Sequence, residues 1–97
     1  MAEKLISVEF EVFGRVQGVL FGRYMMKAAK YLQVRGLITN THRHSVKGVI
    51  EGRSSSIESM KWWLRKQGSP FSYIALTIFT DEKEIDQYTY KSFKVRA

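Results

Sequence analysis

Apolar and polar residues alternate from position 7 to 13, with Val8, Phe10 and Val12 on one side and Ser7, Glu9 and Glu11 on the other. A period of two predicts a strand with one buried and one wet face. At Phe21 the period changes. Phe21, Met25, Ala28, Ala29 and Leu32 recur at helical spacing while Lys27 and Lys30 fall off that stripe, which predicts an amphipathic helix over 21–32. Residues 37–41 read as a short strand, the polar run Thr41-His42-Arg43-His44 as a hairpin turn, and 46–51 as a returning strand with Val46 and Ile50 on one face. Residues 52–55 read as a loop, after which Ser55 and Glu58 stand three apart, as in a capping box. Ile57, Met60, Trp63 and Leu64 make the stripe of a second helix, which Gly68 and Pro70 stop. Trp62 and Trp63 are adjacent and cannot share one helix face, so one packs on the sheet. From 73 to 80 alternation returns, with Ile74, Leu76 and Ile78 on one side. Residues 81–86 read as an acidic loop and 88–95 as a closing strand with Phe93 and Val95 on one face.

The order is β-α-β-β-α-β with an extra strand at the C-terminal end. Two helices on one face of an antiparallel sheet make an α+β sandwich of the ferredoxin-like kind. Strands with one wet face agree with a sheet covered on a single side. The 97 residues show no repeat, linker or low-complexity segment and are read as one domain, 1–97. There is no cysteine, which excludes disulfides and thiol chemistry. Met1-Ala2-Glu3-Lys4 lacks the apolar core of a signal peptide, and no apolar run approaches the roughly 20 residues that span a bilayer. The expectation is a cytoplasmic monomer.

Charge changes this picture in one respect. Sixteen Lys and Arg against nine Asp and Glu give +7, which steers anions toward the chain. The cations are spread along the sequence without a dense block, so no basic tail is read. Two features suit an anionic guest. The first is Gly14-Arg15-Val16-Gln17-Gly18-Val19, a loop between the first strand and the first helix. Its backbone N–H groups can converge as a concave nest beside the positive end of the helix dipole. The loop is neither a Walker loop nor Gly-x-Gly-x-x-Gly, and taken alone it serves equally as a plain strand-to-helix turn. The second is Asn40 at the end of the second strand. Its carboxamide can donate and accept, and so hold a water, although an Asn before a turn commonly bonds its own backbone.

Together these residues carry a resemblance. Val12-Phe13-Gly14-Arg15-Val16-Gln17-Gly18-Val19-Leu20-Phe21, then Asn40-Thr41 and Val46-Lys47-Gly48, resemble the acylphosphatases. Met60-Lys61-Trp62-Trp63-Leu64, Gly68-Ser69-Pro70 and Tyr90-Lys91-Ser92-Phe93-Lys94-Val95-Arg96 extend the likeness, toward the small eukaryotic members, over nearly the whole chain. The resemblance implies hydrolysis of the carboxyl-phosphate bond of a small acyl phosphate, without metal, cofactor or covalent intermediate. It implies that the amides of Arg15, Val16, Gln17, Gly18, Val19 and Leu20 hold the phosphate, and that Asn40 orients the attacking water. It also implies an arginine directly after the Phe of Gly-Val-x-Phe. Here that position is Gly22 and the arginine follows at Arg23. One residue is about 100° around a helix, so an unshifted Arg23 would point away. Three arrangements are open: Arg23 swings in, Arg15 or Arg43 substitutes, or the chain is a phosphate-binding relative with weak or lost catalysis.

The other residues point elsewhere or nowhere. His42 and His44, two apart in a turn without Cys or a nearby carboxylate, make a poor metal site and are assigned no role. Glu9 and Glu11 on a wet strand face are not read as a catalytic pair. An RNA-recognition domain shares the element order, but its third strand carries exposed aromatics, and Val46-Lys47-Gly48-Val49-Ile50-Glu51 has none. Neither nucleic acid nor membrane is expected as a partner; inorganic phosphate or a small acyl phosphate is.

Overall fold

The computed structural model describes residues 3–18 and 20–96. Strand β1 (Leu5–Arg15) leads into helix α1 (Phe21–Leu32), and β2 (Arg35–Asn40) and β3 (Ser45–Arg53) form a hairpin. Helix α2 (Ser54–Trp62) widens into a π-helical turn (Trp63–Gln67) before β4 (Tyr73–Ile85) and β5 (Phe93–Arg96). The sheet order is β4-β1-β3-β2-β5. β1 pairs antiparallel with β3 and β4, and β2 antiparallel with β3. β5 runs parallel to β2, so the sheet is mixed and not wholly antiparallel as expected.

The stripes read from the sequence meet between helices and sheet. Val8, Phe10 and Val12 of β1 face Phe21, Met25 and Ala29 of α1 and Ile57, Met60, Trp63 and Leu64 of the second helical segment, all buried. Phe21 and Trp63 pack edge to face at 5.3 Å, and Trp62 stays 57% exposed. Fully burying such side chains contributes about 1.5–3 kcal/mol each, which orients both helices on one face.

Three expectations change. First, β4 does not bury Ile74, Leu76 and Ile78 together. Its register against β1 shifts between Phe13 and Gly14, which pair with Leu76 and Ile74 and leave Ala75 as a bulge. An extra residue flips the faces. Leu76 and Ile78 are therefore exposed, Phe79 packs on the core, and the Thr77 hydroxyl donates to the Leu64 carbonyl at 2.8 Å. Second, residues 81–85 continue β4, paired to Ser7, Ile6 and Leu5, instead of forming an acidic loop. The closing strand shrinks to Phe93–Arg96, because the segment before it is held by side chains. The buried Glu51 carboxylate accepts from the N–H of Thr89 and Tyr90, and Arg35 donates to the Tyr90 carbonyl while lying over the Tyr88 ring. Third, Ser55 is not the cap of α2. Glu3 reaches across to accept from the Ser55 N–H at 2.9 Å and from both the Ser54 and Ser55 hydroxyls. Among the described residues no helix is long and apolar enough to cross a membrane.

Candidate active site

The loop after β1 is shaped by its backbone. Val16 is fully buried and pins the loop to the core. Gly18 has φ 74°, with open space beyond its Cα, so glycine is required there by conformation and not by crowding. Leu20 takes the left-handed conformation at φ 56° and ψ 30° as the N-cap of α1. It offers no side-chain cap, and the first turn holds no acid. The first N–H groups of α1 thus stay open to a guest, at the positive end of the helix dipole.

Gln17 ties this loop to the far hairpin. Its Nε2 donates to the Thr41 carbonyl at 3.0 Å and to the Ser45 carbonyl at 2.7 Å. The Thr41 hydroxyl accepts from the Arg43 and Ser45 N–H groups, and the Ser45 hydroxyl donates to Glu11 at 2.6 Å. Thr41, and not Asn40, therefore satisfies the turn. The Asn40 carboxamide is exposed and has no hydrogen-bond partner among the described residues, so its donor and its acceptor face solvent or a guest.

One cleft of about 360 Å³ joins these parts. Its walls come from Val16, Gly18 and Leu20 of the loop, Gly22 and Arg23 of α1, Thr39 and Asn40 of β2, and Val95 of β5. Of the three candidate cations, Arg23 lines it; Arg15 and Arg43 do not. Arg15 closes β1, paired with Tyr73, and the Gln17 side chain turns into the hairpin. Val19 lies outside the described residues. His42 and His44 are exposed in the turn. A further opening of about 410 Å³ lies on the bare face of the sheet, among Glu9, Glu11, Lys47 and Tyr90.

Two contributors escaped the sequence reading: the Gln17 side chain as a brace, and Val95 as a wall. A glycine in the first turn of a helix was the available signal for the second. It costs about 1 kcal/mol relative to alanine and asks for a close neighbour.

By element order and layering the chain is a ferredoxin-like α+β domain. A family model described as Acylphosphatase matches residues 8–95. The chain is 49% identical over 90 residues to Acylphosphatase-1 of Drosophila melanogaster, covering 93% of this chain and 75% of that one. It is 45% identical over 95 residues to Acylphosphatase-2 of Cavia porcellus, covering 98% and 96%. The solved structure of an acylphosphatase from Coxiella burnetii matches with a TM-score of 0.83 at 30% identity, over 96% of this chain and 94% of that one. The chain belongs to the acylphosphatase family and is an enzyme that hydrolyses acyl phosphates.

Proposed function

We propose that the cleft between the Gly18 loop and Asn40 is the hydrolytic centre. The phosphoryl group sits against the loop and the first N–H groups of α1, with the Arg23 guanidinium balancing its charge. A guanidinium at 4 Å from one unit of negative charge gains about 4 kcal/mol at an effective dielectric constant of about 20. The Asn40 carboxamide oxygen accepts from a water and aims that water's lone pair at phosphorus. Water attacks in line, the bond between phosphorus and the acyl oxygen breaks, and its electrons leave with the carboxylate. Water's two protons end up on phosphate oxygens or in solvent, giving a carboxylate and dihydrogen phosphate from the acyl phosphate dianion. A carboxylate leaves easily, so this step demands positioning and charge stabilisation more than proton transfer. We read the enzyme as a cytoplasmic monomer that takes a small acyl phosphate.

The observation that carries this reading is that the Asn40 carboxamide, without a hydrogen-bond partner among the described residues, shares one cleft with Arg23 and the end of α1 that has no side-chain cap. Hydrolysis of benzoyl phosphate tests it. Asn40→Ala and Arg23→Ala should each lower kcat by about 10²–10³. Wild-type rates in both variants would overturn it. Gly22 supports a second reading, a phosphate binder with feeble turnover. In that case wild type binds inorganic phosphate yet hydrolyses no faster than Asn40→Ala.

A further inference from the structure

The cleft is lined by two chemically different kinds of side chain. Arg23, Thr39 and Asn40 bring cationic or polar side chains to its lining, whereas Leu20 and Val95 bring apolar ones. Val95 reaches this place from β5, where it stands opposite Ile38 in the parallel pair with β2. A Cβ on residue 22 would lie 2.9 Å from Val95 Cγ1, 3.4 Å from its Cγ2 and 3.5 Å from Ile38 Cγ2. A real Cβ does not tolerate the first of these distances, so β5 closes on the first turn of α1 because residue 22 has no side chain. Val95 nonetheless keeps 47% of its surface open, and Leu20 keeps 59%. Leu20 also sits in a left-handed conformation that costs a non-glycine residue of the order of 1 kcal/mol, with little core contact to offset it. Two exposed aliphatic side chains thus line the same cleft as Asn40 and Arg23.

We propose that Leu20 and Val95, the latter seated over Gly22, form an acyl subsite that takes an apolar acyl group, with Val95 the residue that sets selectivity. This rests on the hydrolytic reading of the cleft and extends it to the non-reacting end of the substrate. Val95 itself covers the face of Gly22, and the open parts of the Val95 and Leu20 side chains remove the flank of the acyl group from water. A one-methyl acyl group is too short to gain much from them. The reaction is unchanged; the subsite adds ground-state binding, which appears in KM and not in kcat.

The test compares benzoyl phosphate with acetyl phosphate in wild type, Val95→Thr and Val95→Ser, with inorganic phosphate as a competitive inhibitor. Val95→Thr keeps the shape and exchanges one methyl for a hydroxyl, so it guards against a fold lost in Val95→Ser. We expect KM for benzoyl phosphate to rise about threefold in Val95→Thr and about five- to tenfold in Val95→Ser. KM for acetyl phosphate, kcat for both substrates and the inhibition constant of phosphate should stay within about twofold. An unchanged benzoyl-to-acetyl ratio in both variants overturns the proposal. So does a joint rise of both KM values and the phosphate constant, which would mean that Val95 only supports the loop. If wild type hydrolyses neither compound, the hydrolytic reading fails by itself. Calorimetric binding of benzoate against acetate then decides the subsite: preference for benzoate in wild type that Val95→Ser loses supports it, and equal binding sinks it.

Discussion

At the scale of single residues, placement of the site depends on one amide. Gln17 stands in the loop, yet its side chain crosses to the β2–β3 hairpin and donates to two carbonyls there. The loop and the strand end that carries Asn40 are thereby held at one separation. Catalysis by positioning is sensitive to errors of about 1 Å. Gln17→Ala should therefore lower kcat/KM for benzoyl phosphate by about tenfold and stability by about 1–2 kcal/mol, the range for a lost hydrogen bond at a half-buried site. Gln17→Glu is the sharper variant. It keeps the shape but sets carboxylate oxygens against two carbonyl oxygens, so it should be worse than alanine in both kinetics and urea midpoint. A glutamate variant as active and stable as wild type would show that the brace does not position the site. That Asn40 and the glycine loop share one cleft was expected only from the family resemblance, since each taken alone reads as an ordinary turn. Gln17 was legible only as a loop residue, since its partners lie 24 and 28 positions away. Val95 was legible only as a strand residue, because its role depends on a glycine near the other end of the chain.

At the scale of elements, the same division between local and distant causes separates what the periodicity predicted from what it missed. Both helices and β1 follow from their own apolar spacing. β4 does not, because the bulge at Ala75 and its pairing through residue 85 are decided by β1. The cap of α2 does not, because Glu3 arrives from outside the helix. Those hydrogen bonds from Ser55 and Ser54 hold the Glu3 carboxyl below its usual 4.5. A carboxyl with a lowered folded value stabilises above about pH 4.5, and this is lost as pH falls through the lower value. Glu3→Gln should lower the thermal midpoint at pH 7, with the gap to wild type closing as the solution is acidified below that range. A constant gap would mean that the charge of Glu3 is irrelevant. The link between α2 and β4 titrates at the other extreme. Burial pulls the Lys61 ammonium down, but its bond to Glu82 and the nearby Glu58 carboxylate outweigh this and raise it above the usual 10.5. A raised folded value stabilises below about pH 10.5 and is lost as pH climbs through the higher one. Urea midpoints of wild type should thus fall toward those of Lys61→Met above that pH, the methionine retaining the cover over Phe79. Parallel curves at all pH values would remove this account.

At the scale of the whole molecule, the excess of seven positive charges is a matter of kinetics more than of fold. Among the described residues, ion pairs engage Lys4 and Lys61 with Glu84, Glu58 and Glu82, so most of the sixteen cations project an unneutralised field. Arg43 sits in the exposed β2–β3 turn next to Asn40, outside the walls of the cleft but at its end of the sheet. Lys83 pairs with Ser7 toward the opposite end of β1, roughly 25 Å from the loop at about 3.3 Å per residue. A dianionic substrate approaching the cleft should feel the first and not the second. At about 0.1 M ionic strength the screening length is about 10 Å, well short of the distance to Lys83, and it shrinks to about 3 Å toward 1 M. Arg43→Gln should therefore reduce kcat/KM about two- to threefold at low salt with kcat unchanged, while Lys83→Gln should change it little. Raising salt to about 0.5 M should bring both variants and wild type to one value, because steering between exposed charges is then screened. A deficit in Arg43→Gln that survives at high salt would mean that its guanidinium touches the phosphoryl group, and the charge balance assigned to Arg23 would have to be shared with it.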